Sequence, residues 1–410
     1  MIWSKQEMKL AVILGDGMAD WPVEELGGKT PLDVANHPFM DKFAQDGQFG
    51  SVKTVPDGMK PGSDTANLSV FGYDPNRYYS GRSPLEAASL GIELAQTDVT
   101  YRCNLVTLSQ KGDIADSTMI DYSAGEISTE EARELILFLD QKLGQSGVRL
   151  YPGFSYRHCL VLKDAETGAE LIPPHDFSGK PVLGKLPSGA NEALLMRWMK
   201  AAYELLKDHP VNLARVAAGK NPANAIWFWG EGRRPALTPF LEKTGLKGAV
   251  ISAVDLIQGI GRCAEMEVVK VEGATGTFET NFAGKAAAAI DVLSRGADFV
   301  YVHIEAADEC GHHGQLKEKI YSIEEIDLQV IKPIYEYLEG CGEDYAILVL
   351  PDHPTPLKIR THSSDPVPFA LYRKGDCARK VCRYTESDAK TTGLYEQEGF
   401  RLIDQMKNRI

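Results

Sequence analysis

The sequence predicts an α/β protein built on a doubly wound, mostly parallel sheet into which a second α/β domain is inserted. Short apolar, β-branched and aromatic runs, among them Leu10-Ala-Val-Ile-Leu14, Phe299-Val-Tyr-Val302 with Ile304, and Tyr345-Ala-Ile-Leu-Val-Leu350, read as strands buried on both faces. From Leu256 onward such runs alternate with segments of helical spacing, the pattern that builds parallel sheets. Residues 86–235 have a different texture, with strands that alternate polar and apolar side chains. The buried-strand domain is therefore expected from residues 1–85 plus 236–410, with 86–235 carried between its halves.

Taken in order, the first strand runs into Gly15-Asp16-Gly17, and Trp21-Pro22 and Gly27-Gly28 mark a loop. Pro31 to Gln45 has the spacing of one short amphipathic helix, and Gly47 to Val55 reads as a turn and strand. Pro61-Gly62 forces a turn, after which Ser63-Asp64 opens a helix reaching about Phe71. Taken alone, Ser63 is a helix N-cap; the same terminus suits an anion, because its backbone N–H groups and dipole face one.

In the insert, Val99–Thr107 and Ser155–Leu162 alternate as strands, while Thr129–Leu143 and Asn191–Leu206 repeat at helical spacing. Buried-strand texture returns at Gly248–Ala253 and continues through Val268–Val271, Phe299–Ile304, Ala346–Leu350 and Pro368–Tyr372. Helices are expected from Leu256, over Thr280–Arg295, and over Ile320–Leu338.

The whole chain sets further bounds. Its 410 residues, 43% hydrophobic and 25% charged, suit two globular domains. A net charge of -13 argues against a nucleic-acid partner, so an anionic substrate must be drawn in by local cations. Seven cysteines, odd in number and without a Cys-x-x-Cys pair, fit reduced thiols in the cytoplasm. The apolar run within Met1–Gly15 is too short for a secretion signal, and no stretch approaches ~18 apolar residues, so no membrane span is expected.

The chemistry gathers where strands end. Asp308 and His312 follow the Phe299–Ile304 strand four residues apart and can reach one cation together; Asp16 ends the first strand; Asp352-His353 ends another, with His362 in the loop beyond. Ligands of open α/β sheets collect past the carboxyl ends of the strands. Oxygen and imidazole donors without thiolate suit Mn²⁺ or Zn²⁺, and Mg²⁺ less well where several histidines bind. Two such cations roughly 4 Å apart can hold a phosphoryl group between attacking and leaving oxygens, and one of them can deprotonate a serine such as Ser63.

The strings Gly15-Asp16-Gly17, Pro61-Gly-Ser-Asp-Thr-Ala-Asn-Leu-Ser69, Phe71-Gly-Tyr-Asp-Pro75, Asp308-Glu-Cys-Gly-His312, Pro351-Asp-His353 and Thr361-His-Ser363 resemble the cofactor-independent (2,3-bisphosphoglycerate-independent) phosphoglycerate mutases. The likeness is to the shorter, archaeal-type branch, within the alkaline phosphatase superfamily, and extends through Tyr122–Gly125, Tyr156–His158, Pro174–Asp176, Asn224–Trp227 and Gly273–Gly276. The resemblance implies an alkaline phosphatase-like catalytic domain and two divalent metal ions. Asp16, Asp352, His353 and Ser63 would hold one ion, and Asp308, His312 and His362 the other. Ser63 would become phosphoserine, and the insert would close over phosphoglycerate while phosphate from the 3-hydroxyl returns to the 2-hydroxyl, a step of glycolysis and gluconeogenesis.

Arg82, Arg102, Asn104, Arg157, His158 and Lys285 are the candidates for gripping carboxylate and phosphate, each weighed against a salt bridge of purely structural use. His313 is not a matched ligand and is expected behind the ligands, Glu309 behind them or in solvent, His175 as a loop residue rather than the substrate contact it could also be, and His37, His209 and His303 in structural places. Two rival activities share the chemistry: a homoserine kinase-like phosphotransferase, for which no nucleotide-binding loop is present, and a metal-dependent phosphatase or phosphodiesterase that hands the phosphate to water.

Overall fold

The computed structural model describes residues 8–109 and 112–407, so the first seven residues of the segment weighed as a secretion signal lie outside it. The chain divides into two compact units, Met1–Tyr79 with Leu237–Ile410, and Ser80–Ala236.

The first unit is organised by an eight-stranded sheet. Its spatial order is Glu267–Val269, Gly248–Ile251, Phe299–Ile304, Met8–Gly15, Asp344–Leu350, Val367–Arg373, Gln48–Val52, Tyr395–Glu396. The central strand pairs in parallel with both neighbours, Gly15 lying opposite Ile304 and Leu14 opposite Leu350. Three strands therefore end at one level, which brings their following residues side by side. Leu10 to Leu14 have no exposed surface, because both faces of this strand are covered.

Val367–Arg373 departs from the parallel pattern. It runs antiparallel to Asp344–Leu350 and to Gln48–Val52. The segment between residues 350 and 367 forms no helix, and a parallel return would need a crossover of that kind.

Two expected helices are interrupted, each at a proline. Pro31–Val34 and Pro38–Asp46 form separately, since the residue before a proline is pushed out of the helical region and His37 has φ -134°. Leu316–Glu325 and Lys332–Gly340 are joined by a π-helical turn over Ile326–Ile331. Pro333 has no N–H for the helical ladder, and the wider turn accommodates that loss.

The π turn presents buried Asp327, whose carboxylate accepts the N–H groups of Met40 at 2.7 Å and Phe39 at 3.1 Å. It caps the helix that His37 does not. Buried His37 instead bonds the Leu32 carbonyl at 2.7 Å and pairs with Asp41 at 3.1 Å. Burial alone would lower its pKa, but Asp41 and the Leu32 carbonyl raise it above the usual value. A raised histidine pKa stabilises the fold fully below about pH 6.5 and loses that contribution as pH climbs through the folded value. The stability gap between wild type and His37→Gln, measured by urea unfolding, is therefore expected to be larger at pH 6 than at pH 8; a gap that widens with pH would contradict it.

The second unit is an antiparallel sheet in which Val99–Leu108 pairs with Arg157–Leu162 and Ala225–Arg233. Thr129–Leu143 and Glu192–Leu206 pack on it through Leu135, Leu139, Leu195 and Trp198. Among the described residues no helix is long and apolar enough to cross a membrane.

Candidate metal centre

The level strand ends carry the candidate ligands. Asp16 follows the central strand, Asp352 and His353 follow its neighbour, and Asp308 and His312 sit on the helix Ala306–His313, which starts at once after the Phe299–Ile304 strand. That segment reads as a polar tip in the sequence; as a helix it places residues four apart on one face. Ser63 is the first residue of the helix Ser63–Val70 and Gly62 is the cap, so the serine side chain is not spent on capping.

Around Ser63 the groups converge. Its Oγ lies 3.3 Å from Asp16 Oδ2 and 3.2 Å from His353 Nε2. His353 Nε2 is 3.2 Å from Asp352 Oδ2 and 3.7 Å from Asp16 Oδ1. Beside them Asp308 faces His312 Nε2 at 3.2 Å and His362 Nε2 at 3.5 Å, and the two imidazole nitrogens are 3.0 Å apart. All seven expected ligands are thus brought together, and Glu305 joins Asp16 and Asp308 as a further carboxylate.

The residues present fit divalent cations. Asp16 Oδ1 is buried and accepts no hydrogen bond. Burial, then the charges of Asp352 and Asp308, hold Asp16 well above the usual carboxylate range. Asp308 is held well below it, because His312 and His362 outweigh its burial. His312 Nδ1 lies 3.0 Å from the Arg360 carbonyl. A carbonyl only accepts, so Nδ1 carries the hydrogen and Nε2 can turn a lone pair inward.

Further side chains hold these candidate ligands, and most of them escaped the sequence. His303 Nε2 lies 3.0 Å from Asp16 Oδ2 and its Nδ1 3.2 Å from Ser252 Oγ; burial lowers its pKa to about 3, so the ring is neutral. It is more than the structural residue expected. The Thr355 hydroxyl donates to Asp308 and lies 3.4 Å from His353 Nδ1, touching a ligand of each cluster. Gly17 makes this approach feasible: it has φ +63°, and a Cβ there would stand 2.6 Å from Asp308 Cα. Strand-end position could have flagged His303, which lies on the strand leading to Asp308; nothing local marks Thr355.

His313, expected behind the ligands, is instead exposed, pairing at the surface with Glu309 at 3.5 Å. The helix turns it away from the face carrying Asp308 and His312.

The substrate-clamp candidates divide. In the second unit Arg102 Nε meets Glu86 at 2.9 Å, Arg82 Nε meets the same carboxylate at 2.9 Å, and the Arg102 guanidinium stacks 3.9 Å from the Trp229 ring centre. Trp229 donates to Asn104 Oδ1 at 2.9 Å, and His175 packs edge-on against the same indole. Arg102 and Asn104 share a strand face, and Arg157 pairs opposite Asn104 on that face. His158 points the other way: it is buried, its Nδ1 accepts the Gly153 N–H at 3.1 Å, and burial lowers its pKa to about 3. Lys285, in the first unit, is fully buried and donates to the His303 carbonyl at 3.1 Å; burial lowers its pKa to about 8 against the pull of Glu305.

A doubly wound sheet with carboxylate and imidazole clusters at its strand ends, and a serine hydroxyl on the adjoining helix terminus turned toward them, defines a class of α/β enzyme whose chemistry is assembled from separate strand ends. Comparison narrows the class. A family model described as 2,3-bisphosphoglycerate-independent phosphoglycerate mutase matches residues 44–212. A probable 2,3-bisphosphoglycerate-independent phosphoglycerate mutase of Geobacter sulfurreducens is 49% identical over 98% of this chain and 100% of its own. The enzyme of that name from Methanothrix thermoacetophila is 51% identical over 97% and 98%. Among solved structures, a cofactor-independent phosphoglycerate mutase from Thermoplasma acidophilum aligns with TM-score 0.68 and 27% identity over 98% of this chain and 99% of that one. A protein from Pyrococcus horikoshii aligns with TM-score 0.82 and 32% identity over 98% and 97%. The chain belongs to the 2,3-bisphosphoglycerate-independent phosphoglycerate mutase family and is an isomerase.

Proposed function

We propose that the protein interconverts 3-phosphoglycerate and 2-phosphoglycerate in the cytoplasm through a phosphoserine at Ser63, with two divalent cations, Mn²⁺ or Zn²⁺ by donor type. The observation that carries this is the convergence of Asp16 and His353 on the Ser63 hydroxyl, with Asp352 against His353, beside the Asp308, His312 and His362 cluster.

Asp16, Asp352, His353 and Ser63 would hold one cation and Asp308, His312 and His362 the other; bound there, they would supply positive charge that activates the hydroxyl and offsets charge on the phosphoryl oxygens. Ser63 Oγ attacks phosphorus as its proton leaves, the Asp16 carboxylate 3.3 Å away being the group placed to accept it. The bond from phosphorus to the C3 oxygen breaks, and that oxygen takes a proton. The 2-hydroxyl of the same glycerate then attacks the phosphoserine, loses its proton, and Ser63 regains one. In the second unit, Arg82, Arg102 and Arg157 are the groups we propose for recognising a carboxylate or phosphate, which the guanidinium fork matches bidentately.

The test is conversion of 3- to 2-phosphoglycerate by chelator-stripped protein given Mn²⁺ or Zn²⁺, without 2,3-bisphosphoglycerate. Turnover restored by the cations is expected. No turnover with either, homoserine phosphorylation from ATP, or inorganic phosphate released faster than 2-phosphoglycerate forms would each reject the reading.

A further inference from the structure

Ser63, Asn67 and Phe71 lie four residues apart along the Ser63–Val70 helix and its C-cap, so they share one face. Asn67 has no exposed surface; its Nδ2 donates to Asp352 Oδ2 at 2.8 Å and its Oδ1 accepts the Tyr301 hydroxyl at 2.7 Å. The Phe71 and Tyr301 rings stack with centroids 3.9 Å apart and an interplanar angle of 14°. Tyr301 belongs to the strand that leads to Asp308.

The polarity of this chain is fixed. Burial, then the charges of Asp352 and Asp16, push the Tyr301 phenol well above its usual range, so it keeps its proton and donates. Asn67 Oδ1 must therefore accept, which leaves the Nδ2 hydrogens for Asp352. The other Asp352 oxygen takes the backbone N–H groups of His353 at 2.9 Å and Gly17 at 3.2 Å. Three donors pin the carboxylate, and only Asn67 belongs to the element that carries Ser63.

We propose that Asn67 is a positioning residue: it ties the helix bearing Ser63 to Asp352, with Tyr301 as its anchor, so that the hydroxyl and the cation-binding carboxylates form one rigid set. One helical turn separates Ser63 from Asn67, a rise of about 6 Å that the backbone holds constant. Fixing the amide against Asp352 thus fixes where the hydroxyl can stand. A buried amide costs stability unless its hydrogen bonds are made, and these are made to Tyr301, on the strand leading to Asp308, and to Asp352, just past the strand leading to His353. The inference rests on Ser63 as nucleophile and Asp352 as a cation ligand.

The experiment compares Asn67→Leu, Tyr301→Phe and Val70→Ala with wild type for kcat, KM, thermal midpoint and calorimetric Mn²⁺ affinity. Asn67→Leu is expected to lower kcat about 100-fold with KM little changed and to weaken Mn²⁺ binding about 10- to 100-fold. Tyr301→Phe, which removes one hydroxyl and leaves the ring stack, moves both quantities the same way by less. Val70→Ala loosens packing of the same helix and lowers the midpoint while kcat stays within about twofold of wild type. Wild-type kcat and Mn²⁺ affinity in Tyr301→Phe and in any folded Asn67→Leu would overturn the inference, as would a Val70→Ala loss of kcat equal to theirs. An inactive wild type would instead reject the function on which it rests.

Discussion

Ser63→Ala is expected to abolish interconversion, lowering kcat by a factor on the order of 10⁴ or more, while the protein still folds and binds cations. The substitution removes the one hydroxyl that stands within 3.3 Å of both Asp16 and His353, and with it the oxygen that would receive the phosphoryl group. It removes little else. Asp352 keeps its donors in Asn67, Gly17 and His353, and Asp16 keeps His303. Ser63 is also the first helical residue, and its side chain caps nothing, so the Ser63–Val70 helix loses no terminal hydrogen bond. Cation binding should weaken by the loss of one ligand and persist through the other three. Wild-type protein mixed with phosphorus-labelled 3-phosphoglycerate and quenched in acid should retain label, and the variant none. Turnover within about tenfold of wild type would remove Ser63 from the chemistry.

The candidates Asp16, Asp308, Asp352 and His353 were legible because each follows the end of a strand and strands of this kind announce themselves. Leu10–Leu14, Phe299–Ile304 and Tyr345–Leu350 are continuous apolar runs, and the polar residue that follows each run is at the carboxyl edge whatever the strand order. The i, i+4 spacing of Asp308 and His312 places them together on a helix; the sequence reading reached the same pair from their position past the end of a strand. What stayed hidden depends on partners far away in the chain. His303 looks like one more residue of an apolar strand until Asp16, on a different strand, is seen 3.0 Å from its ring. Thr355 and Lys319 touch across a loop and a helix that no local pattern relates. The interrupted helices at residues 31–46 and 316–340 follow the same logic in reverse, since Pro38 and Pro333 were plain in the sequence but periodicity outweighed them. The antiparallel Val367–Arg373 strand was also within reach: the segment before it has no helical pattern, and without a crossover the chain can only turn back.

Lys319→Met is expected to destabilise the first unit by about 3–5 kcal/mol. Lys319 is wholly buried, and its three ammonium hydrogens have three acceptors: Asp20 Oδ2 at 2.7 Å, the Thr355 carbonyl at 2.8 Å and the Ala19 carbonyl at 3.4 Å. Methionine fills the same volume without charge, so the loss is electrostatic rather than a cavity. The Asp20 carboxylate, with 1% side-chain exposure, would be left, among the described residues, with the backbone N–H groups of Trp21 and Leu357. A buried charge deprived of its counter-ion is what makes single removal costly, so Lys319→Met/Asp20→Asn should recover a large part of the loss. Thermal unfolding reads the effect as a drop in midpoint on the order of 10 °C for a unit of this size. The damage should also reach the metal centre, because the loop that Lys319 holds by the Thr355 carbonyl carries the hydroxyl bonded to Asp308. A midpoint unchanged in the single variant, or a double variant no better than the single, would show that the ammonium and Asp20 do not act as a pair and that the Thr355 loop is held by its packing alone.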